Sequence, residues 1–383
     1  MYRILYLFIF ALVLPSGLKS QQVSTLLEEV GASFEAISWS TDGKIFMVDF
    51  MGGRLLQIQR DGALISLKSG LRGPLGGAFA ADGNFYFSVF GDGTLLRYDT
   101  SGNLSTIARD LGGPTGVLID DSNNKAFVND YYGNTTWEVD LANGSTKVRG
   151  KLGGLNGPDG VVFAPNGYDL LIANFEDNLI HRIDTSGNVS LFTRLTGSSA
   201  SGYLVPFGDD YLIAGLKSQQ VWKISAAGEV SSFAGTGGTG GLDNEVNEGL
   251  ANSTFLEPNG IALSPDADTL LLSEKGQRIR LITGLRGLVS SRSLENDAVE
   301  LKLSPNPTNE EVVISYSLPA AGPAELKLYD LGGRLVDQQR IPTQGEGEQS
   351  LRWQRKPTMG KGTYLFVLEV NGRVVGKQKM LLQ

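Results

Sequence analysis

The middle of the chain repeats itself. The segments EAISWSTDGKIFMVD, GGAFAADGNFYFSVF, TGVLIDDSNNKAFVND, DGVVFAPNGYDLLIAN, SGYLVPFGDDYLIAG and NGIALSPDADTLLLSE each read as strand, turn, strand. A third strand follows each, and after the first five comes a fourth, as in RLLQIQRDGALISL and TLLRYDTSGNLSTI. The glycine of that second hairpin recurs at Gly62, Gly102, Gly144, Gly187 and Gly228, in steps of 40, 42, 43 and 41 residues. Units of four short strands at this period stack radially, which predicts a β-propeller with one blade per repeat.

The sixth repeat stops after RIRLIT, one strand short. The missing strand lies at the other end, where QQVSTLLEEVG resembles the fourth strands GNVSLF and GEVSSF. Val23 to Leu27 are therefore expected to complete blade 6, closing the ring and removing an open edge that would invite aggregation. Between blades 5 and 6 runs GTGGTGGLDNEVNEGLANSTF, too polar and glycine-rich for a core element and read as a flexible loop on the face that carries the blade entries. It lacks the Lys-Ser/Thr and following helix of a phosphate-binding loop.

Outside the repeat the composition changes. MYRILYLFIFALVLPSGLKS has a basic residue, a short apolar run and then small residues, the pattern of a secretory signal peptide over residues 1–20. The apolar run is too short to span a bilayer, and no transmembrane segment is expected in the mature chain. Residues 21–286 form the propeller, and the polar stretch 287–299 reads as a linker. From 300 to 383 short alternating segments such as EVVISYSL, AELKLYDL and GTYLFVLEV make about seven strands, enough for a small antiparallel β-sandwich. The expected fold class is all-β throughout.

Charge and residue type exclude several activities. The chain has no cysteine and a single histidine, His181, so thiol chemistry, thiolate metal sites and multi-histidine metal centres are ruled out. His181 aligns with Leu56, Leu96, Trp137 and Trp222 on the third strands, a packing position. The net charge of −8 is concentrated before residue 300, which makes nucleic acid an unfavourable partner.

In a propeller the residues that open the innermost strands and those that end the next strands ring one mouth of the central channel. The first ring reads Glu35, Gly76, Thr115, Asp159, Ser201 and Asn259; the second reads Asp49, Val89, Asp130, Asn174, Gly215 and Glu274. This oxygen-rich set suits a hard divalent cation, calcium above all, held by Glu35 and Asp159 with Asp49, Asp130 and Asn259 as further candidates. Asp130 and Asp159 are the candidate general bases, and Asn174, Asn259 and Glu274 the candidate ligand contacts. The alternative is that these side chains only terminate strands and accept loop amides.

Two resemblances follow from particular motifs. Pro305-Asn306-Pro307, Tyr329-Asp330 with Gly332-Gly333, Gly362-Thr363-Tyr364 and Lys379-Met380-Leu381 resemble, in order, the type A C-terminal sorting domain of type IX secretion. That resemblance implies a bacterium of the Bacteroidota kind, passage through the periplasm and across the outer membrane, and the secretion machinery as partner of residues 300–383. The propeller resembles the NHL-repeat and gluconolactonase (regucalcin) families: AGTGGTGGLDN with Phe255 and Glu257-Pro258-Asn259-Gly260 for the first, FEAISW and FMVDF for the second. The gluconolactonase resemblance implies metal ligands at the openings of blades 1, 4 and 5 and a substrate contact opening blade 3. Glu35 matches; Asp159 stands in for an asparagine, Ser201 for an aspartate and Thr115 for the blade 3 asparagine. The expected function is a secreted or surface propeller that binds a small molecule, glycan or protein on its funnel face. The alternative is a metal-dependent hydrolase of lactones or sugar esters.

Overall fold

The computed structural model describes residues 21–383 except for 29–33, 60–61, 198–199, 244–248, 276–277, 287, 289–298, 300, 319–321, 331–334, 345–346, 357–358 and 371–372. The signal-peptide expectation and nearly all of the linker lie outside the described residues.

Six four-stranded antiparallel sheets occupy residues 22–283. Their innermost strands are Phe34–Trp39, Pro74–Phe79, Pro114–Asp120, Pro158–Phe163, Leu204–Phe207 and Pro258–Leu263. Each packs on the next, and the sixth packs on the first, so the ring is closed. Gln22–Leu27 pairs with Arg278–Thr283, supplying the fourth strand of blade 6 from the N-terminal side of the chain. Val23 of that strand is fully buried, so the closure is packed as well as hydrogen-bonded.

Local sequence explains the radial order. The second strands IFMVD, FYFSV and LLIAN are buried at every residue, as befits strands enclosed by sheet neighbours and adjacent blades. The fourth strands LISLK and LSTIA are mostly exposed or half-buried and form the rim. The repeat-defining glycines all adopt positive φ, from 74° at Gly144 to 88° at Gly187, a region costly for other residues.

Residues 302–382 contain a three-stranded and a four-stranded antiparallel sheet, seven strands in all. Val312, Ile314, Leu326, Leu328, Phe366, Leu368 and Met380 share a core of their own. Trp353 packs on Phe366 and donates its ring N–H to Asp337 at 2.7 Å.

Candidate functional site at the channel mouth

Strand pairing corrects two members of the first ring. In blades 1, 2, 3, 4 and 6 the innermost strand gains one residue against its partner near its start, as between Pro158↔Asn174 and Val161↔Ile172. This β-bulge re-aims the second residue of the strand. In blade 5 the Gly202 amide donates to the Ala214 carbonyl and the Ala214 amide to the Tyr203 carbonyl, which makes Gly202 the equivalent of Asp159. The ring is therefore Glu35, Leu75, Thr115, Asp159, Gly202 and Asn259. Gly76 and Ser201 are each one residue out of register. Ser201 is buried and donates instead to the Asn174 carbonyl at 2.7 Å.

The residue after each ring member is Ala36, Gly76, Gly116, Gly160, Tyr203 and Gly260. Smallness is obligatory where inner strands meet: a Cβ at Gly116 would lie 2.0 Å from the Asp159 carbonyl oxygen, and one at Gly260 2.0 Å from that of Glu35. Blade 5 breaks the rule with Tyr203. Its hydroxyl donates to the Leu75 carbonyl at 3.1 Å, three blades away on the opposite side of the ring. Tyr203 thus spans the channel and floors the mouth.

Above this floor lie the acids. The Asn259 side-chain amide donates to Glu35, and the Tyr203 hydroxyl also contacts the Asp159 carboxyl. Burial pushes the Glu35 carboxyl up to about 8, aided by the charge of Asp159 and opposed by Lys275 and the Asn259 amide. Burial pushes Asp159 up to about 7, opposed by Tyr203. Burial and the two carboxylates hold Tyr203 well above its ordinary value. Asp159 Oδ1 and Asn259 Oδ1 are buried and have no hydrogen-bond partner. Such atoms are uncommon in folded proteins and are accounted for by a bound water, ion or ligand group, or by a site whose function needs them free.

Backbone latches between blades hold these residues. Ser273 Oγ accepts the Gly260 amide at 2.8 Å and donates to the Glu35 carbonyl at 2.9 Å. Asn129 Nδ2 donates to the Asp159 carbonyl at 2.7 Å, and Ser88 Oγ to that of Thr115 at 2.6 Å. Sequence reading passed over all three; their signal is a single polar residue inside an otherwise apolar second strand.

The second ring serves other ends. Asp49 accepts the Gly52 amide and pairs with Arg54 at 2.6 Å, and Asp130 accepts the Gly113 and Gly133 amides. Glu274 is fully buried against Arg280 and Arg278, both at 3.0 Å. Asn174 donates to the Gly154 carbonyl and lies 3.5 Å from His181. His181 is buried, and burial lowers its pKa, favouring the neutral ring. The structure therefore gathers Glu35, Asp159 and Asn259 and leaves Asp49, Asp130 and Glu274 in blade-stabilising contacts; Asn174 bonds through its amide, while its Oδ1 is buried without a partner. Among the described residues no three acidic or histidine side chains form a metal-holding group. The oxygens of Glu35, Asp159 and Asn259 fit a hard cation in type, with two of them free of protein partners.

A further feature was missed altogether. The residue following the second strand is Phe50, Phe90, Tyr131 and Phe175 in blades 1 to 4, then Leu216 and Lys275. Successive rings touch, with centroids 6.1, 6.2 and 6.3 Å apart. Lys275 of blade 6 lies 5.7 Å from the Phe175 ring of blade 4, a contact that bypasses blade 5 and so places these groups close to the axis. The first three aromatics lean on the entry of the next blade: a Cβ at Gly73 would strike the Phe50 ring, one at Gly113 that of Phe90, and one at Gly157 that of Tyr131. Recurrence of an aromatic at one repeat position was the available signal.

The described parts of the insertion between blades 5 and 6, on either side of residues 244–248, are held to the blade 6 sheet. Arg278 donates to the Gly240 carbonyl, and the buried Arg280 donates to the Thr254 and Leu242 carbonyls and pairs with Asp243 at 2.7 Å. Asp243 also accepts from the amide and hydroxyl of Thr25, tying the loop to the closing strand.

Among solved structures, the chain is similar to an auxiliary nutrient binding protein from Bacteroides thetaiotaomicron, at 14% identity over 69% of this chain and 76% of that one, with a TM-score of 0.58. It is also similar to a gluconolactonase from Xanthomonas campestris, at 13% identity over 70% and 91%, with a TM-score of 0.55. A catalytically inactive virginiamycin B lyase from Staphylococcus aureus, solved with quinupristin, matches at 16% identity over 69% and 99%, with a TM-score of 0.52. At these identities the likeness establishes the propeller fold. A search of curated proteins finds no significant match. Among the described residues no helix is long and apolar enough to cross a membrane. Residues 302–383 match the secretion system C-terminal sorting domain, which marks the chain for export by type IX secretion to the cell surface or beyond.

Proposed function

We propose that the exported propeller is a binding module that holds its ligand at the mouth formed by Glu35, Asp159 and Asn259. The observation that carries this reading is the pair of buried, unpartnered oxygens, Asp159 Oδ1 and Asn259 Oδ1, in a layer floored by Tyr203. Concave sites with a few convergent polar groups are where ligands bind. One fold relative, the auxiliary nutrient binding protein, carries a binding role in its name and supports the reading by analogy. Calorimetric titration of the exported protein with divalent cations, neutral oligosaccharides and short peptides tests it. Binding in the wild type that is lost in Asp159→Leu is the expected result; a ligand bound equally by both proteins removes the mouth from the site.

A second reading, a metal-dependent hydrolase of lactones or sugar esters, is favoured by the two raised carboxyls, since groups that titrate near neutrality suit proton transfer. In that case Glu35 and Asn259 would hold a calcium-type cation, which would polarise the substrate carbonyl, and Asp159 would take up the proton. Lactone hydrolysis abolished by chelator and by Glu35→Gln would establish it.

A further inference from the structure

The aromatic rim deepens the binding reading, on which it rests, by naming the class of ligand. Phe50, Phe90, Tyr131 and Phe175 form a continuous arc around the axis, and Tyr132 extends it outward, 5.2 Å from Phe90 and 5.3 Å from Tyr131. Tyr132 is 72% exposed, yet two ring contacts and the close approach of Gly113 fix its place. A rigid aromatic left open beside the channel axis is a ready contact surface, because little side-chain freedom is lost when a ligand covers it.

The cations beside the arc are paired with acids, and two further acids are held by neutral donors. Lys217 and Glu257 meet at 2.5 Å, Arg72 and Asp92 at 3.2 Å, Asn156 donates to Asp177 at 3.2 Å, and Glu176 accepts from the Tyr131 hydroxyl. An anionic ligand calls for unopposed cations, and the cations here are paired; Glu176 and Asp177, bonded only to neutral donors, remain as acceptors for hydroxyl groups. The rim offers donors and acceptors of both kinds beside flat apolar rings, and Lys275, over the Phe175 ring, also acts on the Glu35 carboxyl, which brings rim and acids together. A neutral sugar has the matching chemistry: C–H faces that stack on aromatic rings, and hydroxyls at its edge that both donate and accept. We propose that the rim formed by Phe50, Phe90, Tyr131, Tyr132 and Phe175 is a stacking site for a neutral oligosaccharide whose terminal residue reaches the Asp159 and Asn259 oxygens.

The test is calorimetric titration of the full exported chain with short neutral oligomers of glucose, xylose, mannose and N-acetylglucosamine. At least one is expected to bind, and Tyr132→Ala to weaken it about tenfold, the size of effect seen when an aromatic anchor is truncated. Because Tyr132 is exposed, its melting temperature should not move, whereas Phe90→Ala should weaken binding and lower stability together. Failure of every neutral oligomer to bind, or binding unchanged in Tyr132→Ala and Phe90→Ala, overturns the saccharide site. A peptide or charged ligand that binds instead and is lost in Asp159→Leu overturns the ligand class while leaving the mouth as the binding site. A saccharide that binds but ignores both the rim variants and Asp159→Leu overturns the two readings together.

Discussion

Blades 1 to 4 and blades 5 and 6 are built from one repeat and solve its problems differently. In the first four, an aromatic follows the second strand; those of blades 1 to 3 lie over the next blade's entry, a Gly-Pro pair that leaves room for them. In the last two, Leu216 and Lys275 replace the aromatics, Tyr203 replaces a glycine at the axis, and a loop bound through charges fills the space. The regular blades carry the aromatic arc, and the irregular ones supply the side chain that spans the channel and the ring closure. Function in a symmetric scaffold is to be sought where the repeat is broken as much as where it is kept.

The contrast is sharpest at a single position on the third strand. Strand pairing aligns Leu56, Leu96, Trp137, His181, Trp222 and Arg280. Arg280 is the charged member and is fully buried, between the equally buried Glu274 and the half-exposed Asp243. Removing one partner of a buried pair strands the other, so Arg280→Leu should destabilise by about 3–5 kcal/mol. The double variant Arg280→Leu with Glu274→Leu should recover part of that loss, because the fully buried carboxylate goes with its partner, while Arg278 keeps some exposure and its bond to the Gly240 carbonyl. Urea unfolding of the exported protein measures both; equal stability of single and double variants would mean that Arg280 acts through its loop carbonyl bonds alone.

A second difference concerns protons. Glu35 and Asp159 face one another across the ring with carboxyls raised to about 8 and about 7. In the unfolded chain both ionise near pH 4, so between about pH 4 and pH 8 the folded state holds more protons than the unfolded state. Their contribution to stability is therefore complete below about pH 4 and is lost as pH rises through that window. The slope should flatten in Glu35→Gln and again in Asp159→Asn. A stability profile that rises from pH 5 to pH 8 in the wild type and falls in neither variant would show that the pair is ionised in the folded protein.

Much of the architecture was legible because it rests on repetition: the blade period, the closing strand and the seven-stranded terminal domain all follow from glycines and alternating apolar residues. The site was legible in part. Glu35, Asp159 and Asn259 were found because each sits one residue into an inner strand that the repeat marks clearly. Gly76 and Ser201 were misplaced by one because a bulge adds a residue there, Gly76-Gly77 offers two equivalent glycines, and blade 5 lacks the marker proline. Tyr203 was hidden by the same slip. The aromatic rim was illegible for another reason: a ring next to a buried strand is most often core, and only contacts between blades reveal that these four meet near the axis.

The smallest expected effect tests whether the latches, which also differ between blades, matter to the site. The residue before the end of the second strand is Ser88, Asn129 and Ser273 in blades 2, 3 and 6 and Val48, Ala173 and Ala214 in blades 1, 4 and 5. The polar residues bond to the Thr115, Asp159 and Glu35 carbonyls, so a latch stands behind both acids. Ser273→Ala leaves the Gly260 amide without its buried acceptor, which should cost about 1–3 kcal/mol. Ser88→Ala deprives the Gly76 amide in the same way and should cost as much, but it sits behind Thr115. If latching positions the acids, Ser273→Ala should weaken ligand binding at the mouth beyond the change produced by Ser88→Ala at equal loss of stability. Equal binding in the two variants would reduce the latches to ring-closing hydrogen bonds and leave the placement of Glu35 to the Asn259 amide.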